Sequence, residues 1–136
     1  MKHRLLTVAM IALAITSAVA GTPNFAGEYS DKKFLNNQAV FQMSLEQSGN
    51  TVSVWFSAGY SDGHGSAPEA QGTGKVTSKQ IVEFTFNDSD KNAGTGTITR
   101  AGDGIVVSLK PTRVSDTQCL AFYRQGIHLQ RAAKKS

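Results

Sequence analysis

From Ala39 onward, apolar and polar side chains alternate with a period of two. In AVFQMSLEQ, Phe41, Met43 and Leu45 fall on one face and Gln42, Ser44 and Glu46 on the other. That is the pattern of a strand with one face buried and one face wet. Ser48-Gly49-Asn50 reads as a tight turn, and TVSVWFS continues with Val52, Val54 and Phe56 set against Thr51, Ser53 and Trp55, so the two runs make a hairpin. IVEFTF points Val82, Phe84 and Phe86 inward, and GTGTITR is its partner across a polar turn at 87–92. After Ala101-Gly102-Asp103-Gly104, IVVSLK adds Ile105, Val107 and Leu109. Pro111 is expected to stop this strand, because proline cannot donate to a ladder. The final strand is expected to start near Cys119 with Leu120, Phe122, Ile127 and Leu129 inward, which requires a bulge at Gly126 to restore the parity. Residues 24–30 supply a first strand and 71–77 a glycine-weakened fourth.

The reading is therefore all-β: a single antiparallel up-and-down β-barrel of about eight strands, or a closely related sandwich. Its inward set is large and apolar, with Ile98 added to the residues above, and is expected to fill the lumen. Gly72, Gly74, Gly94 and Gly96 leave two possibilities open: space for a ligand, or strands that bend and pack closely.

The 136 residues divide before the barrel begins. Met1-Lys2-His3-Arg4, an apolar run from Leu5 to Ile15 and Ala18-Val19-Ala20 form the three parts of a secretory signal peptide. The apolar run is too short to span a membrane. The expected organisation is a signal peptide at 1–20, a barrel domain at 21–130 and a flexible basic tail at 131–136, with the product periplasmic or secreted. Subtracting Lys2 and Arg4 from the fourteen Lys and Arg leaves twelve against ten acidic residues, so the formal charge falls from +4 to +2. A balance that close to neutral does not point to nucleic acid. The single cysteine, Cys119, rules out a disulfide framework within the chain.

Candidate chemistry is sparse. Beyond the signal there are two histidines, His64 and His128, and one thiol. Read as residues of one strand, Cys119 and His128 would stand roughly 30 Å apart, too far for a nucleophile and its base. No catalytic residue, cofactor or metal is expected, and the chain reads as non-enzymatic. Asp88-x-Asp90-x-Asn92 has the alternating oxygens of a calcium loop, but its glycine comes at the seventh position and Thr99 stands where a closing Glu belongs. A polar turn is the plainer reading. His64 beside Asp62 is too little for zinc.

The stretch SAGYSDGHGSAPEAQGTG, 57–74, is long for a hairpin connection, and such loops are functional or disordered. Tyr60, Asp62 and His64 among small residues suit an adaptable protein contact. Trp55 faces outward just before it, and Tyr123 is read as outward too. Either could serve an interface, and Trp55 could instead pack beneath a loop.

Gly27-Glu28-Tyr29 at the first strand resembles the Gly-x-aromatic opening of the calycin barrels, the lipocalins and avidins. Arg131 occupies the place where lipocalins return a basic residue to that strand. The resemblance implies a barrel of similar shape. Ser57-x-x-Tyr60 resembles the serine and tyrosine motif of lysozyme inhibitors. The expected function is an exported binding protein that inhibits or neutralises a cell-wall-active enzyme, in the manner of a lysozyme inhibitor or a toxin-immunity protein. Tyr60, Asp62, His64 and Trp55 would be its protein-partner contacts. The alternatives are a calycin-like carrier of a small hydrophobic ligand and a structural envelope protein, with no nucleic acid partner and no membrane span.

Overall fold

Eight antiparallel strands close into one barrel in simple sequence order: β1 Gly27–Lys33, β2 Ala39–Ser48, β3 Thr51–Tyr60, β4 Glu69–Val76, β5 Val82–Asp88, β6 Ala93–Ala101, β7 Gly104–Arg113 and β8 Ile127–Arg131. The protein is described from a computed structural model, over residues 22–132. The expected signal peptide lies outside the described residues, as does the tail from 133 on. Arg131 itself belongs to β8 and pairs with Tyr29 on β1.

The alternation does what a period of two requires. Phe41, Met43 and Leu45 on β2 face Ala58, Phe56 and Val54 on β3 in register, and every one of them is buried. Burying side chains of this size stabilises the fold by about 2 kcal/mol each. On the far wall, Phe84 stands between Gly74 and Gly96, and Phe86 between Gly72 and Gly94. A Cβ at Gly94 would lie 2.7 Å from the Phe86 ring and one at Gly96 would collide with that of Phe84, while one at Gly72 would collide with the Thr85 carbonyl. The glycines therefore admit two large rings and a close backbone approach. They open no space for a ligand, and the lumen is filled.

Each end is plugged. At one, buried Phe25 donates its N–H to Gln47 Oε1 (2.7 Å) and its carbonyl accepts the Tyr29 hydroxyl (2.8 Å). Arg131 reaches the Ala26 carbonyl (3.1 Å) and Tyr29 Oη (3.0 Å), with its guanidinium carbon 5.0 Å from the Tyr29 ring centre. Gly27 has φ +149°, and a Cβ there would collide with that guanidinium. An eight-stranded up-and-down barrel is the architecture that the Gly27-Glu28-Tyr29 and Arg131 resemblance implied.

The other end departs from the expected chain path. Residues 114–126 form a lid across it, with a 3₁₀ turn at Thr117–Ala121, and β8 begins only at Ile127. Within the lid Cys119, Phe122 and Tyr123 are buried, whereas Leu120 is 42% exposed. The expected inward Leu120 and outward Tyr123 are thus both reversed. The apolar spacing i, i+3, i+4 is helical, and Asp116 caps the turn by accepting the Gln118 N–H (2.9 Å). Gly126, with φ +69°, is the turn into β8 and its N–H donates to Ser108 Oγ (3.0 Å); the barrel's register shift lies at Ala93/Gly94 instead.

Pro111 does not stop β7, which runs to Arg113. β8 pairs with β7 only from Ile105 to Val107, so beyond that point one edge of β7 has no partner strand and a missing N–H is tolerated. Between β1 and β2 the chain reverses in a tight turn, Phe34–Asn37, where Leu35, Asn36 and Asn37 all have positive φ. Phe34 is buried there, edge-on to Phe41 and stacked with Phe122.

Candidate functional site

The lid end of the barrel gathers most of the polar organisation. Its foundation is the turn between β5 and β6. Asp88 Oδ1 accepts the N–H groups of Asp90 (2.8 Å) and Asn92 (2.9 Å), and Oδ2 accepts Asn92 Nδ2 (2.8 Å) and the Tyr123 hydroxyl. Burial pushes the Asp88 carboxyl upward, but these hydrogen bonds outweigh it and hold its pKa below the ordinary value. Tyr123 is shifted the other way, first by burial and then by its bond to Asp88. Asn92, buried, accepts the N–H groups of Ser115 (2.7 Å) and Asp116 (3.0 Å) through Oδ1. The side-chain oxygens of a would-be calcium loop on Asp88 and Asn92 are thus all engaged: Asp88 Oδ1 orders the turn itself, while Asp88 Oδ2 and Asn92 Oδ1 hold the lid to the barrel.

Asp90, Asp116 and Cys119 bring potential ligand atoms within 4.8 Å of one another. Each already has a protein partner: the Cys119 thiol donates to Asp90 Oδ2 (3.4 Å) and Asp116 Oδ2 accepts from Ser66. Burial, then the bond to Asp90, pushes the thiol up to about 12. A thiol that stays protonated is a weak nucleophile and a weak ligand.

The loop between β3 and β4 sits on this foundation. It spans 61–68, shorter than the expected 57–74, because β3 and β4 stay paired up to Ser57 and Glu69 and the Ala58 N–H still donates to the Pro68 carbonyl (3.2 Å). At one end of the loop the Ser61 N–H donates to the Gln38 carbonyl (2.9 Å). At the other, the Ser66 N–H donates to Gln118 Oε1 (3.1 Å) and its hydroxyl to Asp116. Between these tethers, residues 61–65 are all exposed.

Tyr60 is the last residue of β3 and leans over the lid, 5.3 Å from the Phe122 ring. The His64 imidazole stacks on it at 4.1 Å between centres. Asp62 accepts from the His64 N–H (3.1 Å) and from Nδ1, and these bonds lower its pKa. In the neutral imidazole, giving Nδ1–H to Asp62 leaves Nε2 as the acceptor edge of the ring. The structure thus brings Tyr60, Asp62 and His64 together.

Trp55 is elsewhere. It stands five residues back along β3, roughly 17 Å by strand rise, 41% exposed on the outer wall. It borders a shallow groove of about 250 Å³ with Glu28, Gln42, Ser44, Ser57 and Glu69. The residues missed from sequence are Ser66, Asp116 and Gln118, which tie loop to lid across some fifty positions. Only the Asp-x-Gln spelling of a capped turn hints at them. No family model matches this chain, and comparison with curated proteins and with solved structures gives no match either.

Proposed function

We propose that this chain is an exported, non-enzymatic binding protein of calycin-type build, working in the periplasm or outside the cell. It would neutralise a cell-wall-active enzyme by seating loop 61–68 in that enzyme's cleft. The observation that carries the reading is the loop's construction: five consecutive exposed residues held at both ends, with Tyr60 and His64 stacked to stiffen the tip. A segment ordered before it meets its partner loses less entropy on binding.

The tip's chemistry suits a glycosidase cleft. Such enzymes carry one carboxylic acid that is protonated in the working state and one carboxylate. With Asp62 fixing the tautomer, His64 Nε2 can accept from the protonated acid, and the Tyr60 hydroxyl can donate to the carboxylate. The carrier alternative loses support from the filled lumen, since a hydrophobic ligand needs a cavity lined for it.

The test is affinity capture from an envelope extract, followed by a turbidity assay on cell-wall suspensions. The wild-type protein is expected to retain an enzyme whose wall-degrading activity falls when the protein is added. Asp62→Ala with His64→Ala is expected to lose at least about tenfold in capture, the scale of one hot-spot cluster. Equal capture by both proteins, or a captured fraction without wall-degrading activity, would refute the reading.

A further inference from the structure

Charge is segregated along this chain. None of its fourteen Lys and Arg residues falls between Phe34 and Gly74, while Glu46, Asp62 and Glu69 do. That span builds β2, β3, loop 61–68 and most of β4, which are neighbours in the barrel. A gap in the sequence thus becomes a continuous wall without a cation, bounded by Lys33 and Lys75, on a chain of net positive charge.

The groove beside Trp55 lies on this wall and reaches Glu28 on the adjoining β1. Register places Glu28, Ser44, Trp55 and Gln71 in one outward row across β1 to β4, with Gln42, Ser57 and Glu69 in the next. Glu28 accepts the Ser44 hydroxyl (2.6 Å). Among the described residues, the Glu69 carboxylate and the Trp55 indole have no hydrogen-bond partner. An exposed indole face with a carboxylate to either side attracts a guanidinium twice over, by charge and by the ring quadrupole. A neutral saccharide could also stack on the indole, but it would leave both carboxylates without a counter-charge.

We propose that the β2–β3–β4 wall is a docking face for a basic segment of the partner protein, with an arginine side chain laid over Trp55 between Glu28 and Glu69. This deepens the loop reading by assigning the partner a positive face, and it rests on that reading only for the partner's identity.

Trp55 is the chain's single tryptophan, so intrinsic fluorescence reports on the groove directly. The full chain is titrated with a hexa-arginine peptide, with hexa-glutamate and with chitohexaose. A saturable change is expected with hexa-arginine alone. Its affinity should fall roughly tenfold as NaCl rises from about 50 to about 300 mM, and by a similar factor in the double variant Glu28→Gln, Glu69→Gln. Both residues are exposed, and an unchanged thermal melt will confirm that the variant is folded.

An absent or non-saturable response to hexa-arginine, unchanged affinity in the double variant, or a saturable response to chitohexaose would overturn the docking face. Asp62→Ala with His64→Ala should leave the peptide signal intact. Loss of peptide binding with capture still dependent on the loop would remove the docking face alone. Intact peptide binding with capture indifferent to Asp62 and His64 would remove the loop reading alone.

Discussion

Gly72 illustrates how a single missing side chain shapes this barrel. Its backbone lies so close to Thr85 on β5 that a methyl group could not enter without moving a strand, and the Phe86 backbone closes the space beside it. Gly72→Ala is therefore expected to destabilise the fold by about 3 kcal/mol, at the upper end for overpacking. Gly49→Ala sits in open space at φ +61° and should cost about 1 kcal/mol for the left-handed backbone alone. Urea unfolding of both variants compares them. A Gly72→Ala protein no less stable than Gly49→Ala would mean that the wall is looser than described. The inward positions of β2, β3, β5 and β7 were legible from alternation, because a strand buried on one face leaves no other arrangement. Tyr123 and Leu120 were read the wrong way round because alternation was carried into a segment whose burial follows a helical spacing.

At the scale of elements, the least legible part was the lid. Residues 114–126 lie over the barrel because Asn92 and Asp88, on another turn, collect their N–H and hydroxyl groups. Contacts between residues more than twenty positions apart leave no periodic trace. This attachment should be acid-sensitive. Asp88 has a lowered pKa in the folded state; a lowered carboxyl contributes stability above its unfolded pKa of about 3.9 and loses it as pH falls through the folded value. Tyr123→Phe removes a hydrogen bond to a charged acceptor and should cost about 2 kcal/mol at pH 7. At pH values below both Asp88 pKa values, where the carboxyl is protonated in either state, the difference between variant and wild type should shrink. Urea unfolding across that pH range measures it, and a penalty independent of pH would show that the Tyr123 hydroxyl does not depend on the Asp88 charge. The loop between β3 and β4 was partly legible: its glycines and small residues marked a connection, but its true limits depended on strand pairing that composition does not report.

The whole molecule presents one face that differs from the rest. A filled lumen and plugged ends leave the exterior as the surface open to any partner. On that exterior the tethered loop and the cation-free wall adjoin, since Glu69 directly follows the loop. The barrel supplies rigidity, and the lid fixes the loop's base. We propose that a partner protein meets this face through the loop tip. The most direct test places the photo-crosslinking residue benzoylphenylalanine at Ser61, exposed at the start of the loop beside its tip, and separately at Val106, which faces outward on β7, in cells that export the protein. Irradiation is expected to yield a covalent adduct with the partner from position 61 and none from position 106. An adduct from 106 with none from 61 would contradict the account.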